Sequence, residues 1–198
     1  VMDGLRETDY GKGAVKMRSE WVGPKVGQQL RVAGVSSIVY ALLFIMLYIA
    51  VRFDLRFAPG AVVAVLHDIA ITFGFFVAIQ HEVSLPIVAA LLTIVGYSLN
   101  DTIVVFDRIR ENFQKLRERE LSLVVNQSIN ETLSRTLLTS LTTLVTVGSI
   151  YILGGGLIKD FALALIVGVV VGTYSSIFVA SPVVVFLDRR FFRKQAQA

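Results

Sequence analysis

The feature that most constrains this chain is a series of long apolar segments, each of which is long enough to cross a lipid bilayer. The first, residues 32–51, contains no charged residue, and at about 1.5 Å per residue a helix of that length crosses about 30 Å of hydrocarbon. Backbone groups in hydrocarbon must be hydrogen-bonded within the segment, which favours helices. The other predicted spans lie at residues 57–79, 84–106, 136–153 and 161–187. The sequence therefore predicts an all-α membrane protein, a polytopic bundle with five transmembrane helices.

The composition supports the membrane class and excludes several kinds of chemistry. Hydrophobic residues make up 55% of the chain and the mean hydropathy is +0.69, while the charged residues are confined to a few short stretches. The absence of cysteine excludes a disulfide framework, thiol catalysis and cysteine-ligated metal. The sequence has no phosphate-binding glycine loop and no nucleophile–base motif. We therefore expect no enzymatic activity, no cofactor, no metal site and no nucleic-acid binding.

The polar segments divide the chain into domains. Residues 1–29 carry mixed charges and turn dipeptides, and we interpret them as the end of an extracytoplasmic domain and a linker. Residues 30–190 form the predicted transmembrane domain, and residues 191–198 form a cytoplasmic tail. The chain begins with Val and no signal sequence precedes the first apolar run, so we expect a fragment whose beginning has been removed.

The long polar connection, residues 108–135, is predicted to hold an amphipathic cytoplasmic helix. Its apolar residues Ile109, Phe113 and Leu116 recur at spacings of four and three, which is typical of a helix with one apolar face. We expect this helix to lie on the membrane surface or to cover the bundle. A second amphipathic piece, about residues 121–133, is expected to lead into the fourth span.

The distribution of basic residues predicts the orientation. If each span crosses once, the basic segments 52–56, 108–135 and 189–194 lie on one side of the membrane. The other side receives only residues 81–82 and 159–160 and the N-terminal segment. By the positive-inside rule the basic side is cytoplasmic and the N-terminal segment is extracytoplasmic.

Asp101 is the most informative polar residue, because it lies one to two helical turns before the charged end of the third span. A carboxylate at that depth costs at least about 2.5 kcal/mol. One interpretation is structural, with Asp101 hydrogen-bonded to Ser or Thr on a neighbouring helix. The other is a proton relay, because low dielectric favours the protonated form and a nearby arginine favours the charged form. Arg135 is the best candidate partner, although it can also be read as an interfacial anchor.

Asp68 is a second carboxylate within a predicted span. It is a candidate relay residue or a member of a structural polar network. Its neighbour His67 projects about 100° away on a helix, so we do not expect the two to ligate one ion together.

Three glycines are predicted to allow close helix packing: Gly96, Gly168 and Gly172. The last two form a small-xxx-small pattern, which is a weak motif for helix association.

The run at residues 96–112, GYSLNDTIVVFDRIREN, closely resembles the signature of SecF subunits in the SecD/SecF family of protein-export membrane proteins. Other stretches agree with the same family, and together they cover the chain from about residue 20 to residue 187. They are residues 21–27, 67–68, 135–137 and 180–182.

The resemblance implies a membrane half of the resistance-nodulation-division (RND) type that pairs with SecD in the bacterial cytoplasmic membrane. It implies association with the SecYEG channel, with YajC and YidC as further partners, and use of the proton motive force to assist the movement of preproteins. Within the family, the positions matching Asp101 and Arg135 are implicated in proton conduction, and another essential acid lies on SecD. Relative to the family, we expect the first transmembrane helix and most of the outer domain to be missing from this chain.

The resulting hypothesis is a non-enzymatic, proton-coupled subunit of the protein-export machinery. Two alternatives are a proton-coupled exporter half of the RND superfamily and a purely structural assembly subunit of the translocon.

Overall fold

The computed structural model describes residues 24–52, 56–82, 84–115 and 120–192, and within these ranges the chain is helical apart from short turns. Most of the N-terminal segment and of the C-terminal tail therefore lies outside the described residues. The chain divides into two compact units, Val1–Ala33 and Gly34–Ala198. In the first unit the described residues, 24–33, form the first turns of a helix.

Five long helical stretches follow one another, and each is long and apolar enough to span a membrane. The predicted fold class is thereby confirmed. The fifth stretch is continuous but contains two π-helical segments. In chain order the elements are α1 (Pro24–Arg52), α2 (Ala58–Ala78), α3 (Leu85–Lys115), α4 (Leu121–Leu153), α5 (Leu157–Ser175), a π-helical segment (Ser176–Ala180), α6 (Ser181–Leu187) and a second π-helical segment (Asp188–Phe192).

The amphipathic sequence that follows the third predicted span is helical and continues α3 without a break. Ile109 is fully buried, and Asn112, one turn later on the same face, is 4% exposed. Both pack within a hairpin of α3 and α4, where the Nδ2 group of Asn112 donates to Ser128 Oγ (3.1 Å). Since the two helices stay in contact beyond the apolar segments, the described residues of the polar connection continue the third and fourth spans and do not form a separate helix on the membrane surface.

Helices α2, α3 and α5 form the centre of the described bundle, with α4 packed against α3 and α5. Apolar side chains cluster toward its two ends. One cluster includes Phe57, Val65 and Phe106, and the other includes Phe76 and Ile87. Helix α1 is peripheral, since few of its residues are buried.

Contacts between loops confirm that the spans alternate in direction. His81 Nε2, after α2, lies 3.2 Å from Asp160 Oδ1 at the start of α5. At the opposite end, the guanidinium of Arg189 contacts Glu120 Oε1 at 2.5 Å. The basic segments therefore lie together at one end of the bundle.

Candidate functional site

Buried polar side chains form a layer inside the bundle, which we call the polar layer. On α2 and in the last span, this layer separates the two apolar clusters: its residues follow those of one cluster in sequence and precede those of the other. All of its members are at most 4% exposed. They are Asp68 and Thr72 on α2, Ser98, Asp101 and Thr102 on α3, Ser140 on α4, and Ser175 and Ser176 in the last span.

Asp68 is the most fully hydrogen-bonded acid of this layer. Its Oδ2 atom accepts hydrogen bonds from Ser98 Oγ (2.5 Å) and Ser175 Oγ (2.8 Å). Its Oδ1 atom lies 3.0 Å from Nδ1 of His67. Because the two serine donors lie on α3 and α5, Asp68 joins α2, α3 and α5 at one point. Buried carboxylates are tolerated when donors surround them in this way.

The sequence-based expectation for His67 and Asp68 concerned only the joint ligation of one ion, and in the structure the two side chains contact each other directly. The imidazole reaches back to its neighbour's carboxylate, although the two residues start about 100° apart on the helix. The His67 side chain is 30% exposed, whereas that of Asp68 is 1% exposed. His67 therefore connects a buried carboxylate with the surface of the bundle. Among the described residues, no group of three histidine or acidic side chains could hold a metal ion.

Asp101 is equally buried, at 2% exposure, but its surroundings are poorer in donors. Ser140 Oγ, on α4, donates to Asp101 Oδ2 at 3.4 Å, which is close to the limit for a hydrogen bond. The same hydroxyl lies 2.6 Å from Thr173 Oγ1 on α5. Asp101 on α3 is thus linked to α4 by one long hydrogen bond, and Ser140 in turn contacts α5.

Arg135 lies on α4, five residues before Ser140, and its side chain is exposed. Ser140, which donates to Asp101, follows Arg135 by about 7.5 Å of helix rise. Within the described part of the chain, however, no nitrogen of Arg135 comes within 4.0 Å of a carboxylate. The two residues therefore share a region of the bundle without forming an ion pair.

An apolar stripe on α4 extends from the position of Arg135. Leu138 is 59% exposed, Leu141 58% and Val145 63%, and their spacing places them on one side of the helix. We call these residues the α4 stripe. In a membrane, such a stripe faces either lipid or another helix.

The three glycines differ in their surroundings. A Cβ atom at Gly168 would overlap Ile94 on α3, and a Cβ atom at Gly172 would lie 3.1 Å from Ser98 Cβ. These two glycines therefore allow α5 to approach α3 closely. Gly96 has open space where its Cβ would point, with nothing within 4 Å.

Sequence reasoning missed several buried polar residues. Ser98 lies one turn before Asp101 on the same face of α3, and this spacing could have indicated that it points into the polar layer. The burial of Asn112 could have been predicted in the same way, because Asn112 lies one turn after the apolar residue Ile109 on the same face of the helix. Asp188 is 4% exposed and contacts Arg56 (Nη1–Oδ1 3.4 Å), and no local pattern indicates that distant pairing.

Comparison with known proteins identifies similar sequences. A family model for the protein export membrane protein SecD/SecF, C-terminal, matches residues 5–190. The protein translocase subunit SecF of Vibrio alginolyticus is 55% identical over 178 residues, which is 90% of this chain and 56% of that protein. SecF of Magnetococcus marinus is 51% identical over 196 residues, which is 99% of this chain and 63% of that protein. The chain thus spans less than two thirds of the length of these relatives.

Solved structures show the same arrangement of helices. A crystal structure of SecDF, a translocon-associated membrane protein, from Thermus thermophilus matches with a TM-score of 0.81 and 51% sequence identity. It covers 85% of this chain, which corresponds to 24% of the SecDF chain. A structure of SecDF in a super-membrane-facing form matches with a TM-score of 0.79 and 48% identity, over 89% of this chain and 24% of the other.

Proposed function

This chain belongs to the SecD/SecF family of protein-export membrane proteins, and from that premise we propose that it is the C-terminal membrane part of a SecF-type subunit. Its role is to assist Sec-dependent translocation of proteins across the bacterial cytoplasmic membrane. The relatives named as protein translocase subunits support this role, as do the five apolar helices of a multi-pass membrane protein. Since those relatives are named as subunits of a translocase and not as enzymes, we infer a non-enzymatic function.

The proposed partners are SecD and the SecYEG translocon, with YajC and YidC as further partners and preproteins as the substrates. A structure in which SecD-like and SecF-like parts form one protein supports the pairing with SecD, as its name SecDF indicates. We further propose that the basic end of the bundle is cytoplasmic and that residues 1–29 end an extracytoplasmic domain.

We assign Asp101 as the group that carries a proton. The observation that supports this role is a buried carboxylate with one hydroxyl donor at 3.4 Å, near Arg135 but without a direct ion pair. A buried acid with few donors changes its protonation when its electrostatic surroundings change. Protonation removes the negative charge and with it the coulombic attraction to Arg135. The packing of α3 against α4 around Ser140 would then shift, and this movement couples the proton motive force to export.

Asp68 has a different role in this proposal. Its carboxylate already accepts two hydroxyl hydrogen bonds and lies against His67. Such a network stabilises one arrangement of α2, α3 and α5. Asp68 therefore keeps these three helices together while α4 moves relative to α3.

Proton flux through the reconstituted SecD–SecF pair tests the role of Asp101. We expect Asp101→Asn to abolish the flux driven by an imposed proton gradient and to impair export of a preprotein in cells. Asp160→Asn is the matched control, because it makes the same change in an acid at the loop end of α5, where it contacts His81. Unchanged flux and unchanged export in Asp101→Asn would refute the relay.

Copurification with SecD and SecYEG, measured together with proton flux, separates the two alternative functions. A structural assembly subunit would lose copurification with SecD in Asp101→Asn, and its wild-type form would show no proton flux. An exporter half of the RND superfamily would conduct protons without copurifying with SecD or SecYEG.

A further inference from the structure

A pocket of about 490 Å³ lies at the basic end of the bundle. It is formed where α1 and α3 end, where α2 and α4 begin, and where the last span leaves α6. Its volume lies within the range of about 300–1,000 Å³ that is usual for small-ligand sites. The polar layer is not part of this pocket, so the proposed proton relay does not account for it.

The charged lining of this pocket is predominantly basic. Among the described residues that line it, the charged ones are Arg52, Arg56, Arg110 and one carboxylate, Asp188, which together carry a net charge of +2. Asp188 pairs with Arg56 at 3.4 Å. Arg110 forms no ion pair with another described residue. A planar guanidinium presents several donors in a fork that matches the geometry of phosphate oxygens.

An apolar surface extends from the same pocket along α1. Val51 lines the pocket and is 80% exposed, and Leu47, Phe44 and Tyr40 are 61%, 70% and 62% exposed. Their spacings of four, three and four residues place them in one stripe on the helix. An acyl chain can therefore lie along α1 while a charged headgroup occupies the pocket, an arrangement that a free anion would not use. Phe57 and Phe113 supply apolar wall inside the pocket.

We propose that this pocket binds the phosphodiester headgroup of an anionic phospholipid, with Arg52, Arg56 and Arg110 as its ligands. Basic pockets between transmembrane helices are suited to such headgroups. The Asp188 carboxylate repels a second negative charge on the ligand. The pocket therefore favours a phosphodiester, which carries one charge, over inorganic phosphate, which carries up to two near neutral pH.

Native mass spectrometry of the intact protein tests this site. The protein is purified from mixed vesicles of phosphatidylglycerol and phosphatidylcholine, and the retained lipids are counted. We expect one phosphatidylglycerol to be retained in preference to phosphatidylcholine, and Arg110→Gln to weaken its retention about tenfold, the factor expected when one charge-assisted hydrogen-bonding group is lost. Arg190→Gln is the matched control, because Arg190 is an exposed arginine at the same end that does not line the pocket. We expect this variant to retain the lipid as the wild type does.

Two further measurements distinguish a lipid headgroup from inorganic phosphate as the ligand of the pocket. Millimolar inorganic phosphate should not displace the lipid from the wild-type protein, and it should compete more strongly in Asp188→Asn, in which the repelling charge is removed. Displacement by inorganic phosphate from the wild type would overturn the assignment to a lipid. Equal retention in the wild type and Arg110→Gln, or equal loss in both arginine variants, would overturn the site itself.

Discussion

The contact of Gly168 with α3 leads to a prediction that can be worked out from the structure. In Gly168→Ala, the new Cβ atom overlaps Cδ1 and Cγ1 of Ile94 and lies 3.0 Å from its Cγ2. Ile94 is fully buried, so its side chain cannot rotate into open space. The comparison variant is Gly148→Ala on α4, where an added Cβ meets nothing within 4 Å.

The expected change in the free energy of unfolding differs between the two variants. Replacing a glycine by alanine within a helix stabilises it by about 1 kcal/mol. Gly148→Ala should show this gain, since no contact opposes it. Overpacking a buried position costs about 1–3 kcal/mol. Gly168→Ala should therefore range from neutral to about 2 kcal/mol less stable than the wild type, and the two variants should differ by about 1–3 kcal/mol.

Unfolding in mixed micelles, with sodium dodecyl sulfate as denaturant and circular dichroism as the readout, measures both changes. Ile94→Ala adds a further check, because it removes all three atoms that the new methyl group would meet. The double variant Ile94→Ala with Gly168→Ala should be less destabilised than the sum of its single variants, since the two positions are coupled. Equal stability changes in Gly168→Ala and Gly148→Ala, with additive behaviour at Ile94, would refute the reasoning.

Two further predictions use the same unfolding assay. Asn112→Asp should lower the free energy of unfolding by about 1–3 kcal/mol, because a buried donor amide becomes a carboxylate facing Glu131, the acid to which Asn112 donates (2.8 Å). Asn126→Asp, at an exposed position of α4, should stay within about 0.5 kcal/mol of the wild type, and an equal effect in both variants would contradict the prediction. Thr72→Val should leave stability unchanged or raise it by up to about 2 kcal/mol, because the buried Thr72 hydroxyl has no hydrogen-bond partner among the described residues; a clear loss of stability would show that the hydroxyl is satisfied.

The positions of the helices could be predicted well from the sequence, since insertion into lipid depends on properties of each segment alone. The apolar run that begins at Val32 is long enough to span a bilayer wherever its neighbours lie. The sequence also predicted which loops lie at the same end of the bundle. The contacts between His81 and Asp160 at one end and between Glu120 and Arg189 at the other agree with that prediction. The extension of α3 to Lys115 was harder to predict, because it depends on a hairpin partner in α4 that supplies Ser128 and Glu131 to Asn112.

For the candidate site, the sequence identified the carboxylates but not their surroundings. Asp68 and Asp101 stand out because each is a charged residue in an apolar segment, and this contrast is visible without a structure. The difference between their hydrogen-bond donors is not visible in the sequence. Asp68 has two close hydroxyl donors, and Asp101 has one donor at the limit of hydrogen-bond distance. The approach of Arg135 to Asp101 without an ion pair also depends on how α3 and α4 pack.

The sequence by itself determined that this chain is a membrane bundle, how its spans alternate, and that Asp68 and Asp101 lie inside it. These properties follow from the cost of placing backbone and charged groups in hydrocarbon, which applies to each segment locally. Only the tertiary structure decided which groups meet. Ser175 donates to Asp68 across 107 residues of sequence, and Arg56 pairs with Asp188 across 132. Such contacts depend on the angles and rotations at which whole helices pack, and no local sequence pattern encodes them.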